Sequence, residues 1–166
     1  LAERSDIDAV IVTPHVGHEY QDIPEQNTVT LYRTFAEAGA LAVLGAHPHV
    51  LQPWEKHITA DDREVFIIYS LGNFVSGQFQ RVKTKASMLL HINLVKNNYG
   101  KASIAQVQYL PLEMRRNSKD GYTVMPISPQ FGTQDIYQHI TGMLGTVNLL
   151  SPLKSNPSPQ INNNLQ

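Results

Sequence analysis

Three histidines carry the strongest chemical signal in this chain of 166 residues: His15, His47 and His49. An imidazole can bind a transition metal, exchange a proton near neutral pH, or simply hydrogen-bond to backbone. Placement separates these roles. His15 follows the apolar run Ala9-Val10-Ile11-Val12, and the Gly45-Ala46-His47-Pro48-His49 segment follows a second run, Leu41-Ala42-Val43-Leu44. Two such runs with a helix between them predict parallel strands whose carboxyl ends share one edge, where open α/β sheets usually hold ligands. Pro48 biases His47 away from helical dihedrals, so the segment is expected to be extended, with both imidazoles on one side. Three converging imidazoles in a chain without cysteine point to a divalent metal such as Zn, Mn or Fe, against the plainer role of loop histidines bonded to backbone. His18, beside Glu19, is either a further ligand or second-layer partner, or a surface residue. Spacing suggests no partner and no function for His57, His91 and His139.

The elements that must position these residues follow from pattern. Residues 8–13 form an apolar run expected to be a strand buried on both faces. Residues 24–38 carry Thr28, Leu31, Tyr32 and Phe35 at helical spacing, opened by Pro24 and closed by Gly39. With the strand at 41–45 they make a right-handed strand–helix–strand crossover. Antiparallel hairpins follow, one from 50–58 and 64–70 around a turn-forming cluster, the other from 85–96 and 101–110 around Asn97-Asn98-Tyr99-Gly100. In the second hairpin Met88, Leu90, Ile92 and Leu94 alternate with period two, which predicts one buried face. A short strand at 122–125 and a helix over 133–144, weakened by Gly142, complete a domain spanning 1–150. Residues 151–166 are rich in Ser, Pro, Asn and Gln and are expected to be a disordered tail.

Composition narrows the classes. Thirteen Lys and Arg balance fourteen Asp and Glu, so a nucleic-acid binder running on bulk charge is excluded. No apolar run approaches the ~20 residues of a membrane-spanning helix. With no cysteine, neither disulfides nor thiolate metal sites are available. The start at Leu1 lacks the features of a signal peptide and suggests a processed chain or a fragment.

Three segments occurring in order resemble the successive motifs of the capsule-synthesis CapA family, the PgsA-like poly-γ-glutamate biosynthesis proteins. They are Val10-Ile11-Val12-Thr13-Pro14-His15-Val16-Gly17-His18-Glu19-Tyr20, Gly45-Ala46-His47-Pro48-His49-Val50-Leu51-Gln52, and Tyr69-Ser70-Leu71-Gly72-Asn73-Phe74-Val75. The resemblance covers residues 6–80 and implies the carboxyl-terminal part of a two-sheet α/β sandwich similar to calcineurin-like metallophosphoesterases. On that analogy His15 is the lone histidine ligand of a centre holding two divalent metals, and His47 and His49 are its closing pair. Glu19 and Asn73 fall within family patterns, with Asn73 either a site contact or a turn residue next to Gly72. The Asp-x-His, Gly-Asp and Gly-Asn-His motifs that supply the remaining ligands are missing, so an upstream half of the same domain is the expected partner. The resemblance also implies capsule synthase components and an anionic polymer as partners, at the outer face of the cytoplasmic membrane or the cell surface. It leaves open a metal-dependent hydrolase of phosphoester or γ-glutamyl bonds, a non-catalytic subunit and, less supported, a surface-binding module.

Overall fold

The computed structural model describes residues 4, 6–117 and 121–150; the tail expected over 151–166 lies outside them. The architecture is α/β, with two sheets packed face to face and one helix against each. Strands β1 (Ile11–Val12), β2 (Ala42–Leu44), β3 (Trp54–Ile58) and β4 (Glu64–Ile68) form a mixed sheet in the order β1-β2-β4-β3. β1 and β2 run parallel, with Ile11 opposite Ala42, and helix α1 (Gln26–Glu37) connects them as expected. The hairpin of β3 and β4 also forms, with Trp54 opposite Ile68. Its second strand lies beside β2, Ala42 facing Phe66, and leaves β3 at the edge. Composition explains this order: Val65 to Ile68 are apolar on both faces and suit the sheet centre, whereas Trp54-Glu55-Lys56-His57-Ile58 carries polar residues that an edge can solvate.

Residues 8–13 yield a strand of only two residues, and it is not buried on both faces. β1 is an edge strand and Ile11 is 44% exposed. In α1 the buried stripe is Thr28, Tyr32 and Ala36, one residue every four, while Leu31 faces solvent. The helix ends in a Schellman motif: Gly39 at φ 105° donates to the Ala36 carbonyl, and Ala40 reaches back to Phe35.

The second sheet is antiparallel, in the order β5 (Ala86–Lys96), β6 (Ala102–Arg116), β7 (Tyr122–Pro126). β6 runs past the expected end at 110. Pro111 is tolerated because the β7 ladder stops one residue beyond it, at Leu112 opposite Pro126. Met88, Leu90 and Ile92 turn inward, but a bulge between Asn93 and Leu94 breaks the alternation and Leu94 is exposed. Helix α2 (Gln134–Leu144) packs on this sheet through Ile136, Ile140 and Leu144.

Period-two geometry divides the core in two. Ala42, Phe66 and Ile68 face the second sheet and α2, meeting Met88, Tyr109 and Ile140. Val43, Val65 and Ile67 face the other way, against Tyr32 and Ala36 of α1.

Candidate functional site

The site is built where β1, β2 and β4 end together. Past Leu44, Gly45 donates to the Ile68 carbonyl and accepts from Leu71, while Ala46 donates to Pro14 and accepts from Val16. His15 thereby pairs in parallel with Ala46, beyond the break that Pro14 makes in the first strand. Gly45 has no room for a side chain: a Cβ would lie 2.1 Å from the Tyr69 carbonyl oxygen and 2.4 Å from the Tyr32 hydroxyl. That hydroxyl donates to the same carbonyl at 3.4 Å, and burial pushes its pKa up to about 12, so it stays a neutral donor.

The histidine turn differs from the extended segment expected. His47 (φ 105°) and His49 (φ 60°) both occupy left-handed backbone, at roughly 1–2 kcal/mol each. The chain wraps around buried Pro48, whose carbonyl accepts the Tyr20 N–H at 2.8 Å. His15 and His47 still meet, edge to face, with ring centroids 4.9 Å apart; His47 and His49 are separated by 6.1 Å.

Asn73 fixes the state of His49. Its amide nitrogen donates to the Thr84 carbonyl at 3.2 Å, which turns its oxygen toward His49 Nδ1, 2.8 Å away. An amide oxygen only accepts, so Nδ1 carries a proton, and in the neutral ring it is Nε2 that presents the lone pair. Glu19 Oε1 lies 3.8 Å from that Nε2. His18 turns away and pairs with Glu25 at 3.2 Å, both side chains exposed.

The donor set has transition-metal chemistry: His49 is held in a ligating tautomer, and the rings of His15 and His47 have no hydrogen-bond partner among the described residues. The set is incomplete as arranged. Among the described residues no three His, Asp or Glu side chains are placed to hold one ion together.

The family profile described as Bacterial capsule synthesis protein PGA_cap matches residues 1–78, the stretch that contains this site. The chain is 33% identical over 121 residues to the PGA biosynthesis protein CapA of Bacillus subtilis (strain 168), an alignment covering 71% of the chain and 30% of that protein. It is 30% identical over 139 residues to the Capsule biosynthesis protein CapA of Bacillus anthracis, covering 84% and 30% respectively. The chain belongs to the CapA family of capsule-synthesis proteins. It spans about 30% of the length of these curated relatives.

In this CapA-family chain the sequence pattern missed several residues around the histidines. The Tyr20 ring stacks on His49 at 6.1 Å and 28°. Tyr20 itself has φ 65°, an uncommon conformation for a residue of its size. Its signal in the sequence is its place at the end of the segment over 10–20. Buried Gln52 donates to the Gln21 carbonyl at 2.8 Å and braces the same loop. Asp22 pairs with Lys83, a contact across 61 positions that spacing cannot reveal. A cavity of about 500 Å³ opens elsewhere, between β3, β4 and β6, lined by Trp54, Phe66, Ile104 and Val107. Among the described residues no helix is long and apolar enough to cross a membrane.

Proposed function

We propose that this CapA-family chain contributes the histidine half of a divalent metal centre to a protein acting in capsule or poly-γ-glutamate biosynthesis or export at the outer face of the cytoplasmic membrane. The observation that carries this reading is the tautomer lock: Asn73 holds the His49 Nδ1 proton, beside two further imidazoles at adjoining strand ends. His15, His47 and His49 would hold metal as neutral imidazoles, and affinity would fall on acidification because a ligand nitrogen must first lose its proton. A bound divalent metal would supply Lewis-acid stabilisation of negative charge and acidify coordinated water. Asn73 orients His49, and Glu19, whose Oε1 lies 3.8 Å from the His49 Nε2, would add a carboxylate beside that ligand atom. The further ligands, a bridging carboxylate above all, would come from outside this chain.

The test is metal content of the intact protein that carries this sequence, with His47→Ala and Asn73→Ala variants. Bound metal in the wild type is expected, with affinity reduced about 10–100-fold in Asn73→Ala and at least as much in His47→Ala. Equal metal content in all three would overturn the reading. A second reading is a non-catalytic subunit supporting polymer synthesis, for which the three imidazoles, not gathered with a third donor around one ion among the described residues, need hold no metal. Phosphodiester and γ-glutamyl hydrolysis separate the two, because a hydrolase loses turnover with His47 whereas a scaffold has none to lose.

A further inference from the structure

A guanidinium stands beside the histidine site, on a ring that touches His49. After Asn73 the chain runs beside the 15–22 loop and is tied down at both ends. Asn73 bonds the Thr84 carbonyl, and Lys83 pairs with Asp22. Between these ties the Arg81 guanidinium lies over the Tyr20 ring, 4.5 Å from its centroid, on the same ring that stacks against His49. Arg81 is exposed, and its side chain has no carboxylate partner among the described residues. Lys85 behaves similarly, its ammonium 4.9 Å from the Phe79 ring. The contrast with other cations is informative. Lys83 is committed to Asp22, Arg33 to Glu55 and Arg63 to Asp61.

A guanidinium seated on an aromatic face is held flat by the ring quadrupole while its N–H edges stay free. Those edges form a planar fork that matches a carboxylate or phosphate with two parallel hydrogen bonds. The Tyr20 ring contacts both His49 and Arg81 and is carried on left-handed backbone, so the arrangement is built by the fold rather than being a chance surface contact.

We propose that Arg81, positioned by Tyr20, is the residue that binds the oxyanion of the ligand entering the histidine site. This rests on the reading of that site given above and adds the ligand's charge and the group that reads it. The occupant is an anionic chain or ester whose carboxylate or phosphate docks on Arg81, one aromatic ring away from His49.

The test is calorimetric binding of two probes, a γ-linked glutamate oligomer and inorganic phosphate, to the intact protein and to Arg81→Gln, Arg81→Lys and Tyr20→Phe variants. Affinity for at least one probe is expected to fall about tenfold or more in Arg81→Gln. Arg81→Lys should recover only part of that loss because a point charge lacks the fork, and Tyr20→Phe should bind like the wild type because the stacking ring is kept. Loss confined to the oligomer identifies a carboxylate ligand, and loss confined to phosphate identifies a phosphate one; both support the proposal. Unchanged affinity for both probes in Arg81→Gln, or no binding of either by the wild type, overturns it. Metal content measured on the same samples keeps the two readings distinguishable, because Arg81→Gln should leave it unchanged whatever the fate of anion binding.

Discussion

His139 shows how a single side chain can make stability depend on acidity. Its Nε2 is buried without a hydrogen-bond partner among the described residues, and burial lowers its pKa; nearby Asp22 opposes that shift and Lys83 reinforces it. The folded chain therefore resists protonating His139, while the unfolded chain accepts a proton near the ordinary histidine value of about 6.5. Below that value the unfolded state binds more protons, so this contribution is complete at higher pH and declines as pH falls toward the lower folded value. Replacing His139 by Leu should flatten the fall of melting temperature between about pH 7 and pH 5 relative to the wild type. Superimposable profiles would refute the assignment. Nothing in the sequence marked His139, because its charged neighbours come from segments far apart along the chain. His15, His47 and His49 were legible for the opposite reason: each directly follows a strand, and strand direction alone brings them to one edge.

Helix α2 is held at its start by a charge from the neighbouring sheet. Glu113, on β6 and 4% exposed, accepts from the Thr133 backbone at 2.9 Å and from the Thr133 hydroxyl at 2.6 Å, and pairs with Arg115 at 2.9 Å. Burial by itself would raise its pKa, but the hydrogen bonds from Arg115 and Thr133 outweigh that and hold the carboxyl below its ordinary value. A carboxylate also suits the positive end of a helix. Glu113→Gln should destabilise the chain by about 1–3 kcal/mol at neutral pH, read as a lower urea midpoint. The difference should shrink as acid protonates the wild-type carboxyl, since a group with a lowered folded pKa contributes above its ordinary value and is lost as pH falls through the folded one. Element by element, the crossover and both hairpins could be foreseen because turns, caps and alternation are local. The placement of β4 beside β2 could not, because which strand is central depends on what covers it. The histidine turn was misjudged as extended because Pro48 restricts the residue before it but does not reveal the packing that drives His47 and His49 into left-handed backbone.

At the scale of the whole molecule, one mixed sheet serves two apolar layers, α1 on one face and the second sheet with α2 on the other. Ile140 is fully buried in the second layer. Ile140→Ala should cost about 2–5 kcal/mol and lower the denaturant midpoint in a single transition, because both layers share the strands between them. Two separated transitions would show that the layers unfold independently. The strands that join the layers also end at the histidines, and Gly45 marks the junction. The oxygen crowding a side chain there belongs to the Tyr69 backbone, so trimming Tyr32 would not open the space. Through sequence change the lineage can therefore retune which groups crown the strand tips, but it cannot raise the floor beneath them without rebuilding the sheet.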